Sequence, residues 1–215
     1  MSKRKLKVGL LIDGYKVPLW AYKMIEQIVL SDYAEISLIV RKQKSIQKKE
    51  SFFNKIRSNR HELLFRAYSK LEDSIYSPYP NVFEPKDLRE LINCTEIIVQ
   101  PKETKFSDRI LEEDIEKIKQ HEVDVFVRLG FRILRGAILK SSKYGVWSYH
   151  HGDNKVNRGG PAGVWEVLKH WSQTGVVLQI LTEDLDNGLL LCESISNTRE
   201  SSVNKNRNNY YWKAK

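Results

Sequence analysis

His150 and Asp186 are the two residues of this sequence whose types and positions best suit acid–base chemistry. His150 ends the predicted strand 145–150, and Asp186 lies in the polar loop between the predicted strands 175–182 and 188–194. Ligands of open α/β sheets bind beside the carboxyl ends of the strands, and we expect the loop of Asp186 to reach that edge. Because a carboxylate orients a neighbouring imidazole and favours its charged form, the pair predicts a site of proton transfer.

Short apolar runs alternate with helical patterns along the chain, which is typical of a sheet with crossover helices. Strands are predicted at 7–13, 34–40, 96–100, 124–129, 145–150, 175–182 and 188–194, and helices after Gly14 and over 51–74, 110–120, 134–140 and 164–171. Uninterrupted apolar runs indicate strands that are buried on both faces. We therefore predict an α/β fold, an open and mostly parallel twisted sheet with helices on both faces. The aromatic helix over 52–71 is expected to pack in the core.

The charge and the cysteines exclude several classes of protein. Lys and Arg number 36 against 27 Asp and Glu, but the formal charge of +9 divides into +8 over 1–75, −3 over 76–198 and +4 over 199–215. A uniformly basic nucleic-acid-binding surface would not divide in this way. Cys94 and Cys192 lie too far apart to suggest a disulfide framework or a zinc finger. No apolar run is long enough for a membrane helix or a signal peptide, so a cytoplasmic protein is expected.

The segment 124–192 has the most informative order of motifs. A strand ends at His150, a polar loop runs to Arg158 and Gly159, and a helix and a strand then lead to Leu-Asp-Asn-Gly at 185–188. This order resembles the catalytic domain of the 10-formyltetrahydrofolate-dependent formyltransferases, which include the methionyl-tRNA, glycinamide ribonucleotide and sugar-amine formyltransferases. His150 and Asp186 fall on the catalytic histidine and aspartate of that family, Gly159 on its loop-closing glycine and Arg158 on the basic residue before it.

The resemblance also implies a Rossmann-related, formyltransferase-like fold and a set of binding residues. The residues expected to bind the formyl donor, 10-formyltetrahydrofolate, are Arg132, Ile133, Leu134 and Asp184. Those expected in the substrate loop are Asn154, Arg158 and Gly159. No metal is expected, because the neighbours His150 and His151 point to opposite faces of a strand and do not suit one ion.

Ser148 stands where the family has an asparagine, whose amide polarises the formyl oxygen together with the histidine. We retain Ser148 as a predicted catalytic residue, with Asn154 or His151 as the alternative polarising group. An oxyanion donor of this kind contributes about 3–4 kcal/mol. The glycines over 159–163 have two interpretations: a phosphate cradle at a helix start, or a tight turn into that helix.

The predicted domain is formyltransferase-like over 1–197, with an unplaced insert at about 41–95. A basic tail that ends in aromatic residues follows over 198–215; it is interpreted as a docking helix that is cut short. The predicted function is formyl transfer to a primary amine, of a small or nucleotide-linked amino sugar. Methionyl-tRNA is a less favoured acceptor, because 199–215 leaves no room for the further C-terminal domain of tRNA-modifying members. The alternatives are a formyl-folate hydrolase and a non-catalytic binding protein.

Overall fold

The computed structural model describes residues 4–43, 63–76, 79–153, 155–156, 160–184 and 188–214. Its strands are β1 (Leu6–Ile12), β2 (Lys16–Pro18), β3 (Ala34–Lys42), β4 (Pro85–Asp87), β5 (Thr95–Val99), β6 (Lys102–Glu103), β7 (Ser107–Arg109), β8 (Val125–Arg128), β9 (Ile133–Arg135), β10 (Val146–His150), β11 (Gln173–Ile180) and β12 (Leu189–Asn197). Its α-helices are α1 (Leu19–Leu30), α2 (Leu63–Ile75), α3 (Glu112–Lys119), α4 (Val164–Leu168) and α5 (Val203–Tyr211). Short 3₁₀ helices cover Leu88–Glu90, Ala137–Lys140 and Trp212–Ala214. None of these helices combines the length and apolar character that crossing a membrane requires.

Seven of the described strands form the central sheet, in the order β12-β11-β10-β8-β1-β3-β5. The five strands from β10 to β5 pair in parallel, whereas β11 and β12 add to β10 as antiparallel strands. Two smaller sheets, β2-β4 and β6-β7-β9, flank it. The predicted fold, a mostly parallel α/β sheet, is confirmed.

Apolar layers cover both faces of the sheet, because successive residues of a strand point to opposite sides. Leu10 faces the layer that contains Trp20 of α1 and Tyr210 of α5. Leu11 faces the other layer, which contains Ile115 of α3. The uninterrupted apolar run of β1 is therefore explained by burial on both sides.

Two predicted helices differ in the structure. Over 134–140, Leu134 belongs to the short strand β9, and only Ala137–Lys140 is helical, as a 3₁₀ turn. Of the predicted helix 51–74, the structure describes α2, while 51–62 lies outside the described residues. The prediction that this helix packs in the core is wrong for α2, because Leu64 and Leu71 are exposed and Glu72 is its buried residue. α2 contacts the body through polar groups: the Glu72 carboxylate accepts hydrogen bonds from backbone amides at the start of α5.

The segment predicted as a docking helix is α5. Its last turn packs into the same apolar layer as α1, where Tyr210 is fully buried and Tyr211 nearly so. Ser202 begins the helix, and its hydroxyl accepts a hydrogen bond from the Lys205 amide at 3.2 Å. The C-terminal segment is therefore part of the core.

Candidate active site

A cleft of about 210 Å³ lies over one face of β8, β10 and β11. Five residues predicted from the sequence line it: Ile133, Leu134, Ser148, His150 and Asp184. They come from three separate parts of the chain, which the fold brings together.

Strand geometry explains why Ser148 and His150 share this cleft. They are two residues apart on β10 and so project from the same face. The side chain of the intervening Tyr149 packs edge-to-face on Trp20, with ring centroids 5.4 Å apart. Burial raises the pKa of Tyr149 to about 12, so its hydroxyl remains protonated at neutral pH.

A row of three polar side chains forms the floor of the cleft. In the sheet register, Ser148 lies opposite Arg128 of β8 on one side and Gln179 of β11 on the other. All three residues line the cleft, and Ser148 and Gln179 are buried. The floor of the cleft is therefore polar and runs across three strands.

The loop after β11 approaches the cleft from an unexpected direction. We expected it at the carboxyl edge beside His150, but the Leu181 amide donates to the Val146 carbonyl, at the amino end of β10. Because β11 runs antiparallel to β10, it ends at that side. Residues 181–184 reach the cleft along the face of the sheet, where the Glu183 carboxylate accepts a hydrogen bond from the Gly136 amide at 2.7 Å.

Arg128 is a site residue that the sequence analysis missed. Its guanidinium donates to the Ser148 hydroxyl oxygen at 3.1 Å and to the backbone carbonyls of Phe131 and Arg132 at 2.8 and 2.9 Å. Burial lowers the pKa of Arg128 from its ordinary value, and the carboxylates of Asp13 and Asp108 partly oppose this effect. The available signal was a charged residue between the apolar run Val125–Val127 and Leu129.

The side chain of Arg132 lies outside the cleft lining. Its guanidinium donates to Asp108 at 2.6 and 2.9 Å, and its backbone amide donates to the same carboxylate at 2.9 Å. Asp108 is fully buried and also binds Lys42 at 2.8 Å. Burial alone would raise the pKa of Asp108, but the hydrogen bonds from Lys42 and Arg132 outweigh it and hold the pKa low. Arg132 thus fixes the segment that carries Ile133 and Leu134.

His151, an alternative polarising group, is directed away from the cleft. Its ring stacks on Tyr211 and meets Trp20 edge-to-face, with centroids 5.0 Å apart. Burial, with smaller effects of His150 and Arg207, lowers the pKa of His151 to about 3. His151 is therefore a neutral ring in an aromatic cluster.

We compared this fold and sequence with known proteins. No family model matches the chain. Over 84 residues, 38% of this chain, it is 42% identical to a methionyl-tRNA formyltransferase of Prochlorococcus marinus, and this match spans a quarter of that relative's length. Among solved structures, glycinamide ribonucleotide transformylase 1 of Geobacillus kaustophilus aligns with 98% of this chain and 93% of its own, at a TM-score of 0.60 and 12% identity. A formyltetrahydrofolate deformylase of Pseudomonas syringae aligns with 99% of this chain and 58% of its own, at a TM-score of 0.58 and 15% identity.

By sequence over part of the chain, and by fold over nearly all of it, the protein is similar to formyltransferases. Four predicted site residues lie outside the described residues: Asn154, Arg158, Gly159 and Asp186. The described part of the chain contains no group of three His, Cys, Asp or Glu side chains placed to hold a metal ion. Cys192 is exposed on β12.

A second cleft, of about 420 Å³, lies beyond the end of β10. Asp153 and Glu166 contribute carboxylates to its lining. Glu166 is only 2% exposed, and its Oε2 has no hydrogen-bond partner. Burial raises the pKa of Glu166, and the electrostatic effect of His150 opposes this increase. These groups suit a ligand that carries N–H donors.

Proposed function

We propose that the domain transfers the formyl group of 10-formyltetrahydrofolate to a primary amine. The observation that carries this proposal is the convergence of Ser148, His150, Ile133, Leu134 and Asp184 on one cleft. The resemblance to formyltransferases selects these five residues from the amino-acid sequence alone. The fold brings the three chain segments that carry these residues to one cleft.

The proposed reaction is direct acyl transfer. The lone pair of a neutral amine attacks the formyl carbon, a C–N bond forms, and the C=O π electrons move to the oxygen. The C–N10 bond then breaks as the C=O re-forms, and the proton that the amine loses passes to N10. His150 is assigned to stabilise the oxyanion and to carry this proton, because an imidazole can both donate and accept a proton.

The walls of the first cleft suit the donor as a substrate. Ile133, Leu134 and Leu181 offer apolar contacts to a flat ring system, and the 182–184 loop offers polar groups to its edge. Pockets for ring-shaped ligands combine apolar walls with a few polar groups in this way.

Asp186 is proposed to orient His150 from the 185–187 segment. The described residues on either side of this segment, Asp184 and Gly188, both line the cleft. The resemblance assigns this role to Asp186, because a carboxylate orients a catalytic imidazole by accepting a hydrogen bond from it.

The acceptor is proposed to be a small amine, such as a nucleotide-linked amino sugar. The carboxylates of the second cleft suit an amine, and the surplus positive charge of 1–75 and 199–215 suits an anionic carrier group. Methionyl-tRNA remains the less favoured acceptor.

The test is an assay of tetrahydrofolate release from 10-formyltetrahydrofolate with a panel of amines. Wild-type protein should release it only when an acceptor is present. His150→Ala should lower kcat by about 10²–10⁴-fold. His121→Ala, which alters a histidine that lines neither cleft, is the matched control and should leave the rate unchanged. Absence of turnover with every amine, or full activity of His150→Ala, contradicts the proposal.

A hydrolase is the second candidate, because the fold also aligns with the Pseudomonas syringae deformylase. In that reaction, water replaces the amine as nucleophile, and formate is released. Tetrahydrofolate and formate produced at equal rates without any amine would favour this function.

A further inference from the structure

Among the described residues, no carboxylate is hydrogen-bonded or ion-paired to the guanidinium of Arg128 on the floor of the first cleft, although Asp13 and Asp108 act on it electrostatically. Its buried Nε has no hydrogen-bond partner. Its three hydrogen bonds go to neutral oxygens, those of Ser148 and of two backbone carbonyls. Buried charges are normally paired, because removing a charge from water is unfavourable. A cation left unpaired on the floor of a cleft is suited to an anion that binds, or develops, in that cleft.

We propose that Arg128, together with Ser148, polarises the formyl oxygen and stabilises its negative charge during transfer. This role falls to an asparagine in the family that the chain resembles. The inference rests on the proposed function, and it assigns the group that compensates for Ser148.

The hydrogen bond between Arg128 and Ser148 supports this role. Arg128 Nη1 donates to Ser148 Oγ at 3.1 Å, so the serine oxygen is an acceptor and its own proton is available to another oxygen. That proton has only a long contact, 3.4 Å, to the Tyr149 carbonyl. Donation from a cation strengthens the next hydrogen bond of a chain. Ser148 thereby becomes a stronger donor than an isolated hydroxyl.

The position of the pair fits the reacting atoms. Ser148 and His150 project from the same face of β10, and Arg128 lies directly opposite Ser148 in the register. A formyl group held against His150 would therefore have its oxygen above the floor row. His151 is excluded as the polarising group because its ring is packed against Trp20 and Tyr211.

The charge of Arg128 is suited to oxyanion stabilisation. A guanidinium remains protonated at any pH at which a protein is folded, so it supplies a fixed positive charge. Preorganised charge in a partly desolvated cleft stabilises a developing oxyanion without reorganisation. The serine side chain is shorter than the asparagine of the family, and its hydroxyl, like an amide, supplies only a dipole. The guanidinium of Arg128 adds a full positive charge, which compensates for the shorter side chain.

The experiment compares Arg128→Met, Arg128→Lys and Ser148→Ala in the full chain. Affinities for 10-formyltetrahydrofolate and for tetrahydrofolate are measured without acceptor, and kcat and KM are measured with the best amine. Arg128→Met should lower kcat by about 10²–10³-fold, the effect of removing one oxyanion donor. It should also abolish the preference for the formylated folate, while tetrahydrofolate still binds. Arg128→Lys, which keeps the charge but loses the fork geometry, should have a kcat between those of Arg128→Met and the wild type.

Structural damage is separated from loss of polarisation by two further measurements. Arg128→Met removes hydrogen bonds to two carbonyls, so its Tm is compared with that of Ser148→Ala, which leaves those bonds intact. Ser148→Asn in the Arg128→Met background should restore the rate at least tenfold, because it places an amide donor at the family position.

Each outcome has one interpretation. If wild-type protein turns over and Arg128→Met keeps its rate within threefold, or loses affinity for both folates equally, the assignment of Arg128 is overturned and the proposed function stands. If wild-type protein binds neither folate, the proposed function fails and the assignment fails with it.

Discussion

The rings of His151 and Tyr211 lie face to face, with centroids 3.7 Å apart and an angle of 7° between their planes. This contact joins the end of β10 to the last turn of α5. His150, the preceding residue, lines the cleft on the opposite face. Two adjacent histidines, the last residue of β10 and the one after it, therefore have different environments, one at the candidate active site and the other in an aromatic cluster.

The first prediction concerns the pH dependence of stability through His151. Its pKa is about 3 in the folded protein, but an unfolded chain takes up this proton near pH 6.5. Between about pH 3 and pH 6.5, the proton therefore binds more strongly to the unfolded state than to the folded state. The free energy of unfolding should fall by roughly 1.4 kcal/mol for each pH unit from about 6.5 downwards, until the folded pKa is reached.

His151→Phe tests this effect. The variant keeps a stacking ring, and the Nε2 that it removes has no hydrogen-bond partner. Urea unfolding at several pH values between 4 and 7 should give a flatter profile than the wild type. Identical slopes for wild type and His151→Phe would contradict the low pKa of His151.

The second prediction concerns the cap that α2 provides to α5. Glu72 is 5% exposed, and its carboxylate accepts from the amides of Val203 at 2.9 Å and Asn204 at 3.1 Å. Glu72→Ala should lower the free energy of unfolding by about 1–2 kcal/mol, because it leaves these amides without acceptors. Denaturant titration measures this loss. Glu200→Ala, an exposed carboxylate near the same helix start, should change stability by less than about 0.5 kcal/mol. Equal effects of the two substitutions would rule out the cap.

The third prediction concerns the close approach of Gly130 to β1. A Cβ at this position would lie 2.3 Å from the backbone nitrogen of Asp13 and 2.7 Å from the carbonyl carbon of Ile12. Gly130→Ala should therefore destabilise the protein by roughly 1–3 kcal/mol, the usual effect of overpacking. Gly14→Ala is the matched control, because a Cβ at Gly14 would have no neighbouring atom within 4 Å. Differential scanning calorimetry of both variants should show a lower Tm for Gly130→Ala alone.

The fourth prediction compares the contributions of Asp108 and Glu103 to stability. Both carboxylates form ion pairs with Lys42 and Arg132. Asp108 is fully buried, whereas the Glu103 side chain is 41% exposed. Asp108→Asn leaves both cations without their buried partner and should destabilise the fold by about 3–5 kcal/mol. Glu103→Gln should change stability by less than about 1 kcal/mol.

The same pair of variants tests the wall of the cleft. Because Arg132 precedes Ile133 and Leu134, Asp108→Asn should also weaken folate binding, as measured by ligand titration of the fraction that remains folded. If Asp108→Asn and Glu103→Gln bind folate equally well, the ion-pair network does not position this wall.

Local pattern was sufficient to predict much of the sheet. The apolar runs of β1, β8 and β10 carry their own signal, because a strand buried on both faces has few polar residues. The convergence of His150 and Ser148 follows from their spacing of two in one strand. Ile133 and Leu134 came from the family resemblance, since nothing in their local pattern marks them as lining a cleft.

The features that sequence reasoning missed depend on contacts between distant segments. The pairing of Arg128 with Ser148 requires the register between β8 and β10, and the pairing of Asp108 with Arg132 requires the contact between β7 and β9. α2 was expected in the core because its apolar spacing is helical. Such periodicity identifies a helix but does not say whether another element covers its apolar face.

The hydrogen bonds of Arg128 join the floor of the cleft to its wall. The same guanidinium holds Ser148 on one side and the carbonyls of Phe131 and Arg132 on the other. A ligand that displaces the 131–132 backbone must therefore also shift the serine hydroxyl, so the floor and the wall of the cleft move together. If the proposed function holds, a substitution that changes the affinity for the folate ring should also change the rate of formyl transfer, because both depend on this one guanidinium.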